Sequence, residues 1–145
     1  MSGDFAVTVR RVLDAGIEEV YDAWTRPEIL AEWLTYGGTL IKAEVRVGGE
    51  FHIDMGGVGP GKSPAHTGRY LVLERPHCIE FTWSSDWTGG ESKVRIELTT
   101  RGEQTELVLQ HSGLPDQKNA DEHGEGWDDF VLRALAVIQQ RRARG

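Results

Sequence analysis

The side chains best suited to chemistry in this chain are His111 and Glu80. An imidazole or a carboxylate transfers protons well when burial and neighbours bring its pKa toward the working pH. His111 closes the alternating run Thr105–His111, where Leu107, Leu109 and His111 share one face. If a helix covers that face, the ring points inward. There it is a general base, a hydrogen-bond partner for a ligand, or a satisfied histidine at the rim of the core, and the rim reading is preferred. Glu80 is interleaved with Ile79, Phe81 and Trp83, and alternation alone leaves open which polar groups face in.

Other chemical signals are weaker. Gly56–Ser63 reads Gly-Gly-Val-Gly-Pro-Gly-Lys-Ser, a formal match to the nucleotide-binding P-loop. That chemistry needs a helix starting at Lys62-Ser63, so that backbone N–H groups face the phosphates. Pro64 and Gly68 oppose such a helix, and the strand-like run His66–Glu74 arrives too soon for a parallel crossover. The segment is therefore read as a glycine-rich hairpin loop. His52 and Asp54 lie two apart on a strand, with His66 expected opposite, but no Cys or His partner completes a ligand set, so neither a metal nor a cofactor is expected. The serines Ser63, Ser84, Ser85 and Ser112 lack a nucleophile elbow, and Cys78 is read as a packing residue.

The elements that would position these groups follow from periodicity. Phe5–Leu13 reads as a strand, Ile17–Trp24 as a helix with Ile17, Val20, Tyr21 and Trp24 on one side, and Glu28–Leu34 as a second short helix after Pro27. Six strands follow: Thr39–Val47, Glu50–Met55, His66–Glu74, Cys78–Ser84, Ser92–Thr100 and Thr105–His111. Turns at Gly48-Gly49, Arg75–His77 and Arg101–Glu103, with a longer one at Trp87–Glu91, are too short for crossovers and imply antiparallel neighbours. Asn119 with Glu122 resembles a capping box for a last helix, which Gly124 and Gly126 weaken. Along it Trp127, Phe130, Val131, Ala134, Leu135 and Ile138 form an apolar stripe. The result is one β-α-α-β-β-β-β-β-β-α domain, in which a helix lies on a sheet.

Composition narrows the function. At 145 residues the chain fits one domain, and a net charge of -7 argues against nucleic acid as the main partner. The basic cluster Arg141, Arg142 and Arg144 is read as favouring the negative end of the last helix. A single cysteine, no signal-peptide pattern after Met1 and no apolar run near the roughly 18 residues that span a bilayer lead to the expectation of a cytoplasmic protein without membrane insertion.

Aromatic residues recur through the elements: Trp24, Trp33, Phe51, Tyr70, Phe81, Trp83, Trp87 and Trp127. Most belong to a core, but an apolar hollow with a few placed polar groups is also how small-molecule sites are built. Val20–Glu28 with Trp33, then Val47-Gly48-Gly49-Glu50-Phe51, Gly68-Arg69-Tyr70, Ile79–Trp83, Thr105-Glu106-Leu107, His111-Ser112-Gly113-Leu114 and Gly126-Trp127 stand in an order that resembles the family named for the activator of Hsp90 ATPase. That family lies within the START-like, or SRPBCC, superfamily. The resemblance implies an α+β helix-grip fold, in which a curved antiparallel sheet wraps a long C-terminal helix over a hydrophobic cavity.

Three roles follow from it. In the first, a small hydrophobic or aromatic molecule sits between sheet and last helix, against Phe51, Tyr70, Phe81, Trp83, Trp127 and Val131, with His111 as polar anchor. In the second, a cyclase or hydrolase uses His111 or Glu80 on a hydrophobic substrate. In the third, the acidic surface meets an Hsp90-type chaperone. This ranks last, because the family's eukaryotic co-chaperones carry a further N-terminal domain. The oligomeric state is left open, a homodimer included.

Overall fold

The computed structural model describes residues 5–34, 39–54, 65–85 and 90–144. Its elements are β1 (Phe5–Leu13), α1 (Ile17–Thr25), α2 (Pro27–Trp33), β2 (Thr39–Ala43), β3 (Glu50–Asp54), β4 (Ala65–Glu74), β5 (Cys78–Ser85), β6 (Gly90–Arg101), β7 (Gln104–Leu114) and α3 (Gln117–Arg144). One seven-stranded sheet runs β1-β7-β6-β5-β4-β3-β2, every neighbouring pair antiparallel. This is the expected order, with the strands meandering and β1 closing onto β7. The helix pair α1-α2 bridges the two edge strands, and α3 lies across the inner face.

One sheet face is buried and the other wet, so strand side chains alternate in and out. On β7, Thr105, Leu107, Leu109 and His111 are buried while Gln104 and Gln110 are exposed. On β6, Ser92, Val94, Ile96 and Leu98 face the same interior. A bulge in β4 between Tyr70 and Val72 shifts the pairing with β5, so Tyr70 opposes Phe81 whereas Leu73 opposes Ile79, and both keep an inward neighbour. From α3, Trp127, Phe130, Val131, Ala134, Val137 and Ile138 close the core. Each fully buried aliphatic or aromatic side chain contributes about 1.5–3 kcal/mol.

Several boundaries differ from the sequence reading by one to four residues. Strand β2 ends at Ala43, not Val47, because Glu44–Gly49 folds into a turn in which Arg46 N–H donates to Glu44 O and Gly49 N–H to Arg46 O. Gly48 takes a φ of 85° there, a conformation that favours glycine. Strand β7 continues beyond His111 to Leu114. Helix α3 starts two residues before the proposed cap at Asn119, since Asp116 accepts the Asn119 N–H at 2.7 Å and is the capping residue. Gly56–Ser63 lies outside the described residues. Strand β4 begins at Ala65 and runs antiparallel to β3, which leaves no room after Lys62-Ser63 for a phosphate-binding helix.

Gly124 and Gly126 do not break α3, and they differ physically. A Cβ on Gly124 would lie 2.7 Å from Val7 Cγ2, so this glycine lets α3 approach β1. A Cβ on Gly126 would meet nothing within 4 Å. Gly126→Ala is therefore expected to stabilise the fold by about 0.5–1 kcal/mol through helix propensity, whereas Gly124→Ala is expected to destabilise it. Urea midpoints of the two variants check this.

Polar ties fix α3 at its middle and near its C-terminus. Asp128 takes both Arg11 nitrogens at 2.7 Å, and this pairing holds the Asp128 carboxyl below its ordinary range. Near the C-terminus, Arg142 pairs with Glu19 at 2.7 Å and Arg141 with Glu32, which joins α3 to α1 and α2. Two of the three basic residues read as favouring the helix dipole thus reach specific carboxylates. These pairs are largely exposed to solvent, which screens them, and act mainly as positional ties.

Candidate functional site

The most constrained polar group in the interior is His111, fully buried at the end of β7. The Trp127 indole N–H donates to its Nδ1 at 2.9 Å. An indole nitrogen is a donor only, so Nδ1 must be the bare acceptor and the ring proton sits on Nε2. That Nε2–H points at Ser92 Oγ, 2.7 Å away, and the Ser92 hydroxyl donates to the Trp83 carbonyl at 2.6 Å. The chain of bonds therefore runs in one direction, from Trp127 through His111 and Ser92 to the backbone of Trp83. In a serine nucleophile pair the hydroxyl donates to an unprotonated ring nitrogen; here the tautomer is reversed. His123 on α3, whose Nδ1 donates to Asn119 O at 2.8 Å, stands edge-on to His111 with ring centres 4.9 Å apart.

Burial, with His123 and His66 nearby, pushes the His111 imidazole from 6.5 down to about 3. Its folded pKa thus lies below its unfolded value, so between those two values only the unfolded chain binds the extra proton. The corresponding stability is fully present above about pH 6.5 and is lost as pH falls toward 3, by a few kcal/mol in all, about 1.4 kcal/mol for each unit separating the two states. Urea midpoints measured across this window are expected to fall with pH in the native chain and to show a flatter slope in His111→Gln.

Around this chain of bonds stands an aromatic cluster. Trp83 on β5 lies 5.0 Å from Trp127, 6.1 Å from Phe81 and 4.6 Å from the buried ring of His66. Phe51 on β3 lies 5.5 Å from both Tyr70 and Phe81 and 5.9 Å from Trp83. Trp24 on α1 packs edge-on against Trp33 at 4.6 Å, and the Trp33 indole donates to Ala23 O at 2.9 Å, tying α2 to α1. Phe51 can lie over β4 because its partner is Gly68, where a Cβ would fall 2.2 Å from Phe51 Cζ.

A narrow pocket enters this cluster between the helix pair and β3–β5, lined by Trp24, Leu30, Leu34, Phe51, Tyr70, Phe81 and Trp83. Its volume is about 10 Å³, room for roughly one water. The Tyr70 hydroxyl, pushed up to about 12 by burial, stays a neutral phenol at any physiological pH. A larger hollow of about 210 Å³ lies on the opposite, outer face of the sheet, where Lys42, His52, Thr67, Arg69, Thr82 and Ser84 make it polar.

The structure thus brings Phe51, Tyr70, Phe81 and Trp83 together on one wall. Trp127 stands behind that wall in contact with Trp24, Phe81 and Trp83, while His111 and Val131 are buried away from the pocket. Glu80 points to the outer face, where Arg95 and Lys93 hold its carboxylate at 2.7 and 3.2 Å. His66 opposes inward Ile53, not His52, so it lies across the sheet from His52 and Asp54 and the three do not converge. Sequence reasoning missed Leu30 and Leu34 as pocket wall and Ser92 as the partner of His111. Leu34 follows Trp33 at the end of an apolar helix, a signal available in sequence; the pairing of Ser92 with His111 needs the β6–β7 register and carries none.

An antiparallel sheet gripping a long C-terminal helix, with two short helices between its edge strands, is the helix-grip fold of START-like proteins. Within that class the chain belongs to the family described as Activator of Hsp90 ATPase homolog 1-like protein, which matches residues 14–139. Protein CV1439 of Chromobacterium violaceum is 28% identical, with a TM-score of 0.79 over 92% of this chain and 96% of that one. DynU16, from the dynemicin biosynthetic locus, is 27% identical with a TM-score of 0.77; the match covers 94% of this chain but only 48% of DynU16. A Staphylococcus aureus protein of unknown function, SA2116, shares the fold alone, at 20% identity and a TM-score of 0.81 over 98% of each chain. No curated protein matches at significance. Among the described residues, no helix is long and apolar enough to cross a membrane.

Proposed function

We propose that this protein binds a small hydrophobic molecule in the pocket between α1-α2 and strands β3–β5. The observation that carries the reading is the wall itself: seven side chains from five elements, all apolar or aromatic, without one charged group. Such lining with few polar atoms is the chemistry of small-molecule sites. The pocket as it stands is closed, since an apolar cavity that accepts a benzene ring needs on the order of 150 Å³. Ligand binding therefore selects an opened state in which Leu30 and Leu34 of the α2 wall move off the sheet. Such a movement breaks the Trp33 indole bond and the Glu32–Arg141 pair and loosens the packing of Trp33 on Trp24 and Phe130.

A catalytic reading of His111 and Glu80 is weaker. Both His111 ring nitrogens are engaged, and Glu80 lies on the outer face. The relationship to DynU16 agrees with a small-molecule partner because that protein comes from a biosynthetic locus. Trp24 and Trp83 line the pocket, so titration with apolar aromatic compounds is expected to change tryptophan emission saturably. A response that rises linearly without saturation for every compound would contradict binding.

A further inference from the structure

The hollow of about 210 Å³ on the outer face of the sheet owes its shape to strand register. Lys42, His52, Thr67, Ser84 and Glu91 stand opposite one another on β2 to β6 and form one continuous row across the sheet. Beside it runs a second row of Glu50, Arg69 and Thr82, in which the Arg69 backbone N–H donates to Thr82 Oγ1 at 2.9 Å. Thr67, Thr82 and Ser84 are short and stand among longer side chains, so the surface is concave there. Neighbouring strands lie about 4.8 Å apart, which polarises the hollow along its length. Lys42, His52 and Arg69 occupy β2 to β4, the hydroxyls cover β4 and β5, and the Glu91 carboxylate stands on β6.

The fold leaves the central cation of this hollow unused. Among the described side chains, every Lys and Arg other than Arg69 pairs with a carboxylate or, in the case of Arg133, lies over the Phe130 ring. Glu50, opposite Arg69 in register, is engaged by Lys42 at 4.0 Å. Glu91 lies two strands from Arg69, about 10 Å, too far to neutralise it. The Thr82 oxygen accepts the Arg69 N–H, so its own hydrogen is left to donate outward. We infer that this hollow binds the phosphate monoester of a small polyhydroxylated molecule. The Arg69 fork, with His52 and Lys42 beside it, takes the phosphate, for which planar guanidinium geometry is suited. Thr82, Ser84 and Glu91 then bond the hydroxyls of the body. A bare anion would leave the Glu91 carboxylate with nothing to bond, and an uncharged polyol would leave Arg69 unused. The space exceeds the roughly 150 Å³ that admits a benzene ring. The site lies across the sheet from the pocket under α2 and does not depend on it.

Two-dimensional NMR of the full chain, titrated with sorbitol 6-phosphate, inorganic phosphate and sorbitol, tests this. Saturable shifts are expected at Thr67, Arg69, Thr82 and Ser84. Sorbitol 6-phosphate should bind about tenfold more tightly than inorganic phosphate, the range of one net hydrogen bond, and about 100-fold more tightly than sorbitol. Arg69→Gln should bring the ester down to the affinity of sorbitol. Glu91→Ala should weaken the ester about tenfold and leave inorganic phosphate no weaker. That sign is diagnostic, because removing a negative charge strengthens both anions if the site acts by charge alone. Arg69 and Glu91 are exposed, so both variants should keep the native urea midpoint, which shows that they are folded. The inference is overturned if no probe shifts these resonances saturably, or if ester and inorganic phosphate bind equally. It is also overturned if the ester keeps its affinity in Arg69→Gln, or if Glu91→Ala strengthens both anions alike.

Discussion

Trp127→Ala is expected to destabilise the protein by about 3–5 kcal/mol, the range for deleting a large buried aromatic side chain. The ring is 2% exposed and touches Trp24, Phe81, Trp83 and Phe130, so its removal opens a cavity where α3 meets the sheet. Trp127→Phe separates packing from hydrogen bonding. It keeps most ring contacts but removes the N–H that fixes the His111 tautomer. Either tautomer then leaves one ring nitrogen without a partner, at a cost of about 1–3 kcal/mol. Removing both ends, in Trp127→Phe with His111→Leu, should cost less than the sum of the single changes, because no orphaned acceptor remains and Ser92 still donates to Trp83 O. Urea unfolding of Trp127→Ala, Trp127→Phe, His111→Leu and the double variant gives these energies. A strictly additive double variant would show that the indole–imidazole bond does not couple the two residues.

Gly68→Ala is expected to cost about 3 kcal/mol, at the upper end for overpacking a tight site. The added methyl would sit 2.0 Å from the Thr82 carbonyl oxygen and 2.2 Å from Phe51 Cζ. The ring can turn aside, but the carbonyl is backbone of the neighbouring strand and cannot. Binding should suffer along with stability, because Phe51 forms one wall of the pocket. Near-ultraviolet circular dichroism of the variant should change as the Phe51–Tyr70–Phe81 cluster is displaced. A stability within about 1 kcal/mol of the native chain would mean that β4 and β5 can separate at Gly68.

Much of this architecture is legible in the chain because a sheet with one buried face writes period-two alternation into its strands. Leu107, Leu109 and His111 declare their shared inward face by spacing alone. What stays hidden depends on contacts distant in sequence. Gly124 looks like a helix weakness until Val7 is placed against it, and Glu44–Val47 looks like strand until Gly48 closes a turn. The His52–Asp54–His66 grouping, set aside as a ligand set on sequence grounds, also fails on register, since the pairing places His66 opposite Ile53. The aromatic wall is readable in sequence as a set of residues but not as a place. Its outer boundary is α2, and the way α2 folds back over β3–β5 is fixed by Trp33 reaching Ala23, a contact no spacing rule anticipates. His111 can be recognised as inward, but its role as the middle of a one-directional chain of bonds depends on Ser92 and Trp127, which lie 19 and 16 residues away.

Whether ligands bind in the aromatic pocket under α2 is decided most directly by two-dimensional NMR of the full chain, titrated with 2-acetonaphthone. Saturable shifts are expected to concentrate on the Trp24 and Trp83 indoles and the Leu30 and Leu34 methyls, with little change at Thr67, Arg69 and Ser84 on the outer face. Shifts centred on that outer hollow, with the Leu30 and Leu34 methyls undisturbed, would contradict binding under α2.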